Sequence, residues 1–134
     1  MWIARYHRLV VLAVVDDLLF SSKIRAVADQ AGRAVTFVRS RVSVLTEIRT
    51  RSARLIILDL DRTALDPMGT IREIKAHRDL SHVVVVGFVS HVHTETIEAA
   101  RQAGIDLVLA RSAFVAQLPE LLASTGSAAA GSAE

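Results

Sequence analysis

Apolar residues arrive along this chain in five short blocks, and between the blocks they thin out to helical spacing. Leu9–Val15 (LVVLAVV) is continuous and rich in β-branched residues, the pattern of a strand covered on both faces. Ile24, Val27, Ala28 and Ala31 then recur as one helix face, and Gly32 stands where a helix C-cap belongs. Ala34–Val38 (AVTFV) predicts a second strand, and Val44, Leu45 and Ile48 predict a helix over residues 42 to 52. Leu55–Leu60 (LIILDL) is the third strand. Asp66-Pro67 reads as an N-cap and a first helical residue, opening a helix through Ile71, Ile74 and Lys75. Val83–Val86, extending through Val89, is the fourth strand, and the helix after it, residues 93 to 103, ends at Gly104. Asp106–Ala110 (DLVLA) is the fifth strand, and Phe114, Leu118, Leu121 and Leu122 mark a final helix. Pro119 is expected to begin or kink that helix and leave it short or broken.

Five strands alternating with five helices imply βαβ units with right-handed crossovers. The predicted class is therefore α/β: a doubly wound five-stranded parallel sheet with helices on both faces. The most apolar strands, the first, third and fourth, are expected in its centre. A chain of 134 residues is one domain's worth. The boundaries read as a domain over 1–123 and a flexible low-complexity tail over 124–134 (STGSAAAGSAE).

Composition narrows the function. Apolar residues make up 51% but aromatics only 4%, so the core must be built of Val, Leu, Ile and Ala. With no cysteine there is no disulfide framework, thiolate metal site or thiol nucleophile, which fits a cytoplasmic protein. A net charge of +2 with both signs mixed does not point to nucleic acid as a partner. Arg5 and Arg8 precede the first apolar block, but seven apolar residues closed by Asp16-Asp17 are far too few to span a membrane.

The candidate chemistry lies in carboxylates. In a doubly wound sheet ligands bind beyond the carboxyl ends of the strands, where the strand order reverses. Asp16 and Asp17 end the first strand, Asp59 lies near the end of the third, and Asp61 follows two residues later. Crowded carboxylates raise one another's pKa unless a cation sits among them, and a hard ion with oxygen ligands, Mg²⁺ first, suits such a set. An Asp beside that ion can act as a nucleophile toward a phosphoryl group. The plain alternative is that Asp17 caps a helix while Asp59 and Asp61 start a turn.

These residues carry a family resemblance. With VVDD ending strand one, LIILDL holding a strand-three Asp, and the stretch TIEAARQAGIDLVLARS, the chain resembles the response-regulator receiver family over residues 8 to 123. The resemblance implies a flavodoxin-like strand order 2-1-3-4-5, Mg²⁺ held by Asp16, Asp17 and Asp59 with the backbone of Asp61, and Asp59 as acceptor of phosphate from a sensor histidine kinase. It implies a non-enzymatic, stand-alone signalling module acting by protein–protein contact, and it leaves a homodimer through helix four, strand five and helix five open. The departures are equally specific. Where receivers place a Thr or Ser at the end of strand four, this chain has Val89, with Ser90 one step late. Arg111 and Ser112 replace the receiver Lys-Pro, Val108 replaces the aromatic of strand five, and Pro67 replaces a loop Gly. Arg111 keeps the positive charge and could either reach a phosphoryl group or pair with Asp59. The expectation is an atypical receiver, with a phosphorylation-independent pseudo-receiver as the alternative.

Two other features compete for a role. His91 and His93 form an H-x-H on the same rim as the carboxylates, which with an Asp would make a zinc- or iron-type site and a small metal-dependent hydrolase. Arg33, Arg39, Arg41, Arg49, Arg51 and Arg54 crowd the second strand and helix, relieved locally only by Glu47, and suit a solvated edge better than a docking surface.

Overall fold

The computed structural model describes residues 10–91 and 93–131, with side chains through residue 123. Strands β1 (Val10–Val14), β2 (Ala34–Val38), β3 (Leu55–Asp59), β4 (Val84–Val89) and β5 (Leu107–Ala110) alternate with helices α1 (Leu18–Gln30), α2 (Val44–Arg51), α3 (Pro67–Ala76), α4 (Thr94–Ala103) and α5 (Arg111–Gly131). All strand pairs are parallel, in the order β2-β1-β3-β4-β5, so the three most apolar strands are the central ones, as expected.

Strand alternation divides the core into two layers. Leu12 and Val14 of β1, Ile56 and Leu58 of β3, and Val85 and Val89 of β4 face one side, where Ile48 of α2, Ile71 and Ile74 of α3 and Ala100 of α4 cover them. Val11 and Ala13, Leu55 and Ile57, and Val86 and Phe88 face the other, against Phe20 and Ile24 of α1 and Phe114, Leu118 and Leu122 of α5. Continuous apolar runs suit β1 and β3 because helices exclude water from both of their faces.

Several boundaries follow the local signals. The Asp66 side chain caps α3 by accepting the Gly69 amide at 3.2 Å, and Pro67 is its first residue. Gly104 ends α4 with φ 103°, a conformation that favours glycine. The last helix departs from expectation. It starts at Arg111, directly after β5, and is continuous through Pro119 to Gly131. Pro119 is exposed, while Phe114, Leu118 and Leu122 on either side of it are fully buried. Burial of that apolar stripe outweighs the hydrogen bond the proline removes. Of the low-complexity stretch 124–134, residues up to Gly131 continue α5 and the last three lie outside the described residues. Leu9, Arg5 and Arg8 also lie outside them. Among the described residues no helix is long and apolar enough to cross a membrane.

The arginine-rich edge is laced with ion pairs rather than left open. Arg41 meets Asp66 at 2.9 Å and Glu73 at 3.6 Å, Arg49 meets Asp79 at 3.1 Å, and Arg51 meets Glu47. The sequence offered only Glu47 as relief, because the other acids come from α3, its N-cap and the turn that follows it.

Candidate functional site at the carboxyl end of the sheet

Because β1 and β3 are neighbours with Val14 beside Leu58, the residues that end them share one rim. Asp16 and Asp17 leave β1 there, and Asp59 is the last residue of β3. The topology therefore brings the predicted acids together.

Their partners set the chemistry. Asp59 is half-buried and accepts the Asp61 amide at 3.0 Å. Burial raises its carboxyl above the ordinary carboxylate value, and the charges of Asp61 and Asp16 push the same way; the Asp61 amide and the Arg111 guanidinium oppose them. Asp17 caps α1, accepting the Phe20 amide at 3.1 Å, and also accepts from Arg111 Nη2 at 3.1 Å. Those two bonds hold its carboxyl below the ordinary value against a smaller cost of burial. Asp16 turns the other way, with both carboxylate oxygens 2.9 Å from Arg62 Nε.

Asp61 serves the loop rather than standing free. Its carboxylate accepts the Ser90 amide, and its carbonyl, the group expected to face a metal, accepts the Thr63 amide at 3.2 Å. Among the described residues no three His, Cys, Asp or Glu side chains are arranged to hold a metal ion. The oxygen donors have the chemistry a hard divalent cation needs, but a guanidinium already satisfies Asp16 and another satisfies Asp17.

Arg111 is held on three sides. Besides Asp17, its Nη1 reaches Ser90 Oγ at 3.4 Å, and its guanidinium lies 4.0 Å from the Phe20 ring centre and 5.7 Å from that of Phe88. Its partner is thus Asp17 rather than Asp59, because α5 begins beside the start of α1. A cation at a helix N-terminus opposes the helix dipole; the Asp17 carboxylate and the aromatic faces offset that. Val89 is fully buried in the core layer beneath the rim, whereas Ser90 is exposed on it with both its amide and its hydroxyl engaged. The hydroxyl displaced by one residue in sequence is therefore present at the rim. An open cleft of about 710 Å³, lined by Asp17, Phe20, Lys23, Ser90, Arg111 and Val115 among others, adjoins these groups.

Reading the sequence alone missed Arg62 and Phe20, and set Ser90 aside as one step late. Arg62 lies in the loop after β3 and Asp16 after β1, so their pairing could have been inferred once the strands were set side by side. The other two depend on how α1, β4 and α5 pack. His91 and His93 are exposed with ring centres 6.0 Å apart, and no third ligand joins them among the described residues.

No protein-family model and no curated protein matches the sequence. Solved structures do match. A response regulator from Hahella chejuensis superposes with a TM-score of 0.78 at 19% identity, covering 87% of this chain and 94% of its own. A putative response regulator from Chloroflexus aurantiacus J-10-fl gives 0.78 at 18% identity, covering 90% and 98%. The receiver domain of a sensor histidine kinase from Pseudomonas aeruginosa PAO1, with a magnesium ion coordinated in its active-site cleft, gives 0.77 at 22% identity, covering 90% and 98%. The chain has the flavodoxin-like fold of response-regulator receiver domains.

Proposed function

We propose that this chain is an atypical receiver module of two-component signalling, in which Asp59 accepts a phosphoryl group and output passes through protein–protein contact. The observation that carries this reading is the placement of a half-buried Asp59 at the end of a central strand, on one rim with Asp16, Asp17 and a fixed cation, Arg111. In the transfer, a carboxylate oxygen of Asp59 forms a bond to phosphorus while the bond to the donor's leaving group breaks with its electron pair. With a phosphohistidine donor the imidazole leaves and takes a proton; with acetyl phosphate, acetate leaves. The product is an aspartyl phosphate.

Ser90 Oγ and the Arg111 guanidinium, which meet at 3.4 Å on the same rim, would donate to the phosphoryl oxygens, and hydrogen bonds to a charged oxygen are worth about 1.5–3 kcal/mol each. Asp16, Asp17 and Asp59 would hold Mg²⁺, which when bound offsets the negative charge of the transferred group. The partner is a sensor histidine kinase or another signalling protein in the cytoplasm, rather than a membrane or a nucleic acid.

Incubation with acetyl phosphate and Mg²⁺, read by intact mass, tests the reading. A phosphate adduct lost in Asp59→Asn supports it. No adduct at saturating donor and metal would overturn it in favour of a phosphorylation-independent module, the reading that the Arg62–Asp16 and Arg111–Asp17 pairs favour.

A further inference from the structure

The two acids that follow β1 are each neutralised from within the chain, by guanidinium groups from different places. Arg111 belongs to α5 and is fixed by Asp17, Ser90 and the Phe20 ring. Arg62 belongs to the turn after β3, immediately before the 3₁₀ segment Thr63–Leu65, and its side chain is half exposed while Asp16 is mostly covered. Together they bring two positive charges to the rim, the charge of one divalent ion. The Arg62 side chain engages both oxygens of Asp16 through Nε, while its backbone is held separately, the amide donating to the Asp59 carbonyl at 3.3 Å. It is the member of the pair that can leave.

We propose that Arg62 is an internal cation that competes with a divalent metal for Asp16, so that the rim takes up Mg²⁺ only as Arg62 swings into solvent. This deepens the receiver reading and rests on it for the identity of the rim as a metal-using acceptor site. Two effects act in the same direction. An oxygen already facing Arg62 must give up that partner before it can ligate a metal, and while Arg62 stays paired its positive charge repels a divalent ion. An exposed ion pair is individually weak, so the competition tunes affinity rather than closing the site. A kinase or target that drew Arg62 away with a carboxylate of its own would raise metal affinity.

Direct binding of Mg²⁺ and Mn²⁺ by calorimetry, on the full chain and on Arg62→Gln, Asp16→Asn and the double variant, tests this without reading activity. Arg62→Gln is expected to bind either ion about tenfold more tightly than wild type, about 1.4 kcal/mol, with an unchanged thermal midpoint. Asp16→Asn in that background is expected to remove the gain. Equal affinity in wild type and Arg62→Gln overturns the proposal, as does an Arg62→Gln protein that binds neither ion, or a gain that survives Asp16→Asn. Intact-mass phosphorylation of the same proteins separates the two claims: absence of adduct in every variant at saturating metal sinks the acceptor role of Asp59 and leaves the measured competition to stand or fall by itself.

Discussion

Arg111 lies with its guanidinium 4.0 Å from the centre of the Phe20 ring while its Nη2 bonds Asp17, the carboxylate that caps the helix to which Phe20 belongs. One side chain thus ties the start of α5 to the start of α1, through a ring on one side and a cap on the other. Phe20 in turn packs on Phe88 and Phe114, with ring centres 4.8 and 5.9 Å away, so the cation rests on the aromatic cluster that fills this face of the sheet. A lysine could reach the same place but could not lie flat on the ring.

Arg111→Lys is therefore expected to destabilise the fold by about 0.5–1 kcal/mol, the usual size of an exposed cation–π contact. Denaturant unfolding of Arg111→Lys, Phe20→Leu and the double variant checks this. The two changes should be non-additive, since each removes the same contact; simple additivity would show that the stacking contributes nothing.

Asp17→Ala is expected to cost about 1 kcal/mol at neutral pH, because it removes the N-cap of α1. The carboxyl of Asp17 is held below its ordinary value of 3.8, so its stabilising effect is present above that value and is lost as pH falls through the lowered folded-state value. The wild-type and Asp17→Ala unfolding curves should therefore converge in acid. Because the side chain is 42% exposed, solvent screening keeps the contribution of the Arg111 pair small beside that of the cap.

Asp59→Asn should do the reverse and stabilise the protein at neutral pH, by on the order of 1 kcal/mol, since it removes a half-buried charge. Burial raises the folded-state pKa above 3.8, so the penalty is absent below that value and grows as pH rises through the folded-state value. Urea midpoints across that range should show the advantage of asparagine appearing as pH rises. An advantage that is constant down to acid pH would mean that charge is not its source.

Gly87→Ala is expected to destabilise by about 1–3 kcal/mol, the cost of overpacking a filled core. A Cβ at Gly87 would come within 2.7 Å of Leu60 and 2.8 Å of Ile105, so both side chains would have to move. Thermal unfolding measures the loss, and pairing the change with Leu60→Ala should recover part of it. Failure to recover would place the strain in the backbone instead.

Much of the fold was legible from local pattern. The block LVVLAVV read as a strand between two layers, Asp66-Pro67 as the opening of a helix, and Gly104 as the close of one, because each signal acts over a few residues. Pro119 misled for the complementary reason. Its local cost is real, but Phe114, Leu118 and Leu122 bury the same stripe before and after it, and that burial comes from the sheet rather than from the helix itself. Val89 likewise looked like a lost hydroxyl at the rim, when strand alternation sends it into the core and leaves Ser90 to supply one.

By itself the sequence determined the alternating elements and the parallel sheet they demand; the strand order that sets β1 beside β3, and with it the meeting of Asp16, Asp17, Asp59 and Asp61 at one end, was implied by the family resemblance. Strand ends carry their residues with them, so backbone topology suffices for that. Only the tertiary structure decided which cation faces which acid. Arg62 and Asp16 are 46 residues apart, and Arg111 and Asp17 are 94 apart. Long flexible side chains choose among several acids within reach by the packing of the elements that carry them, and no local pattern in the chain records that choice.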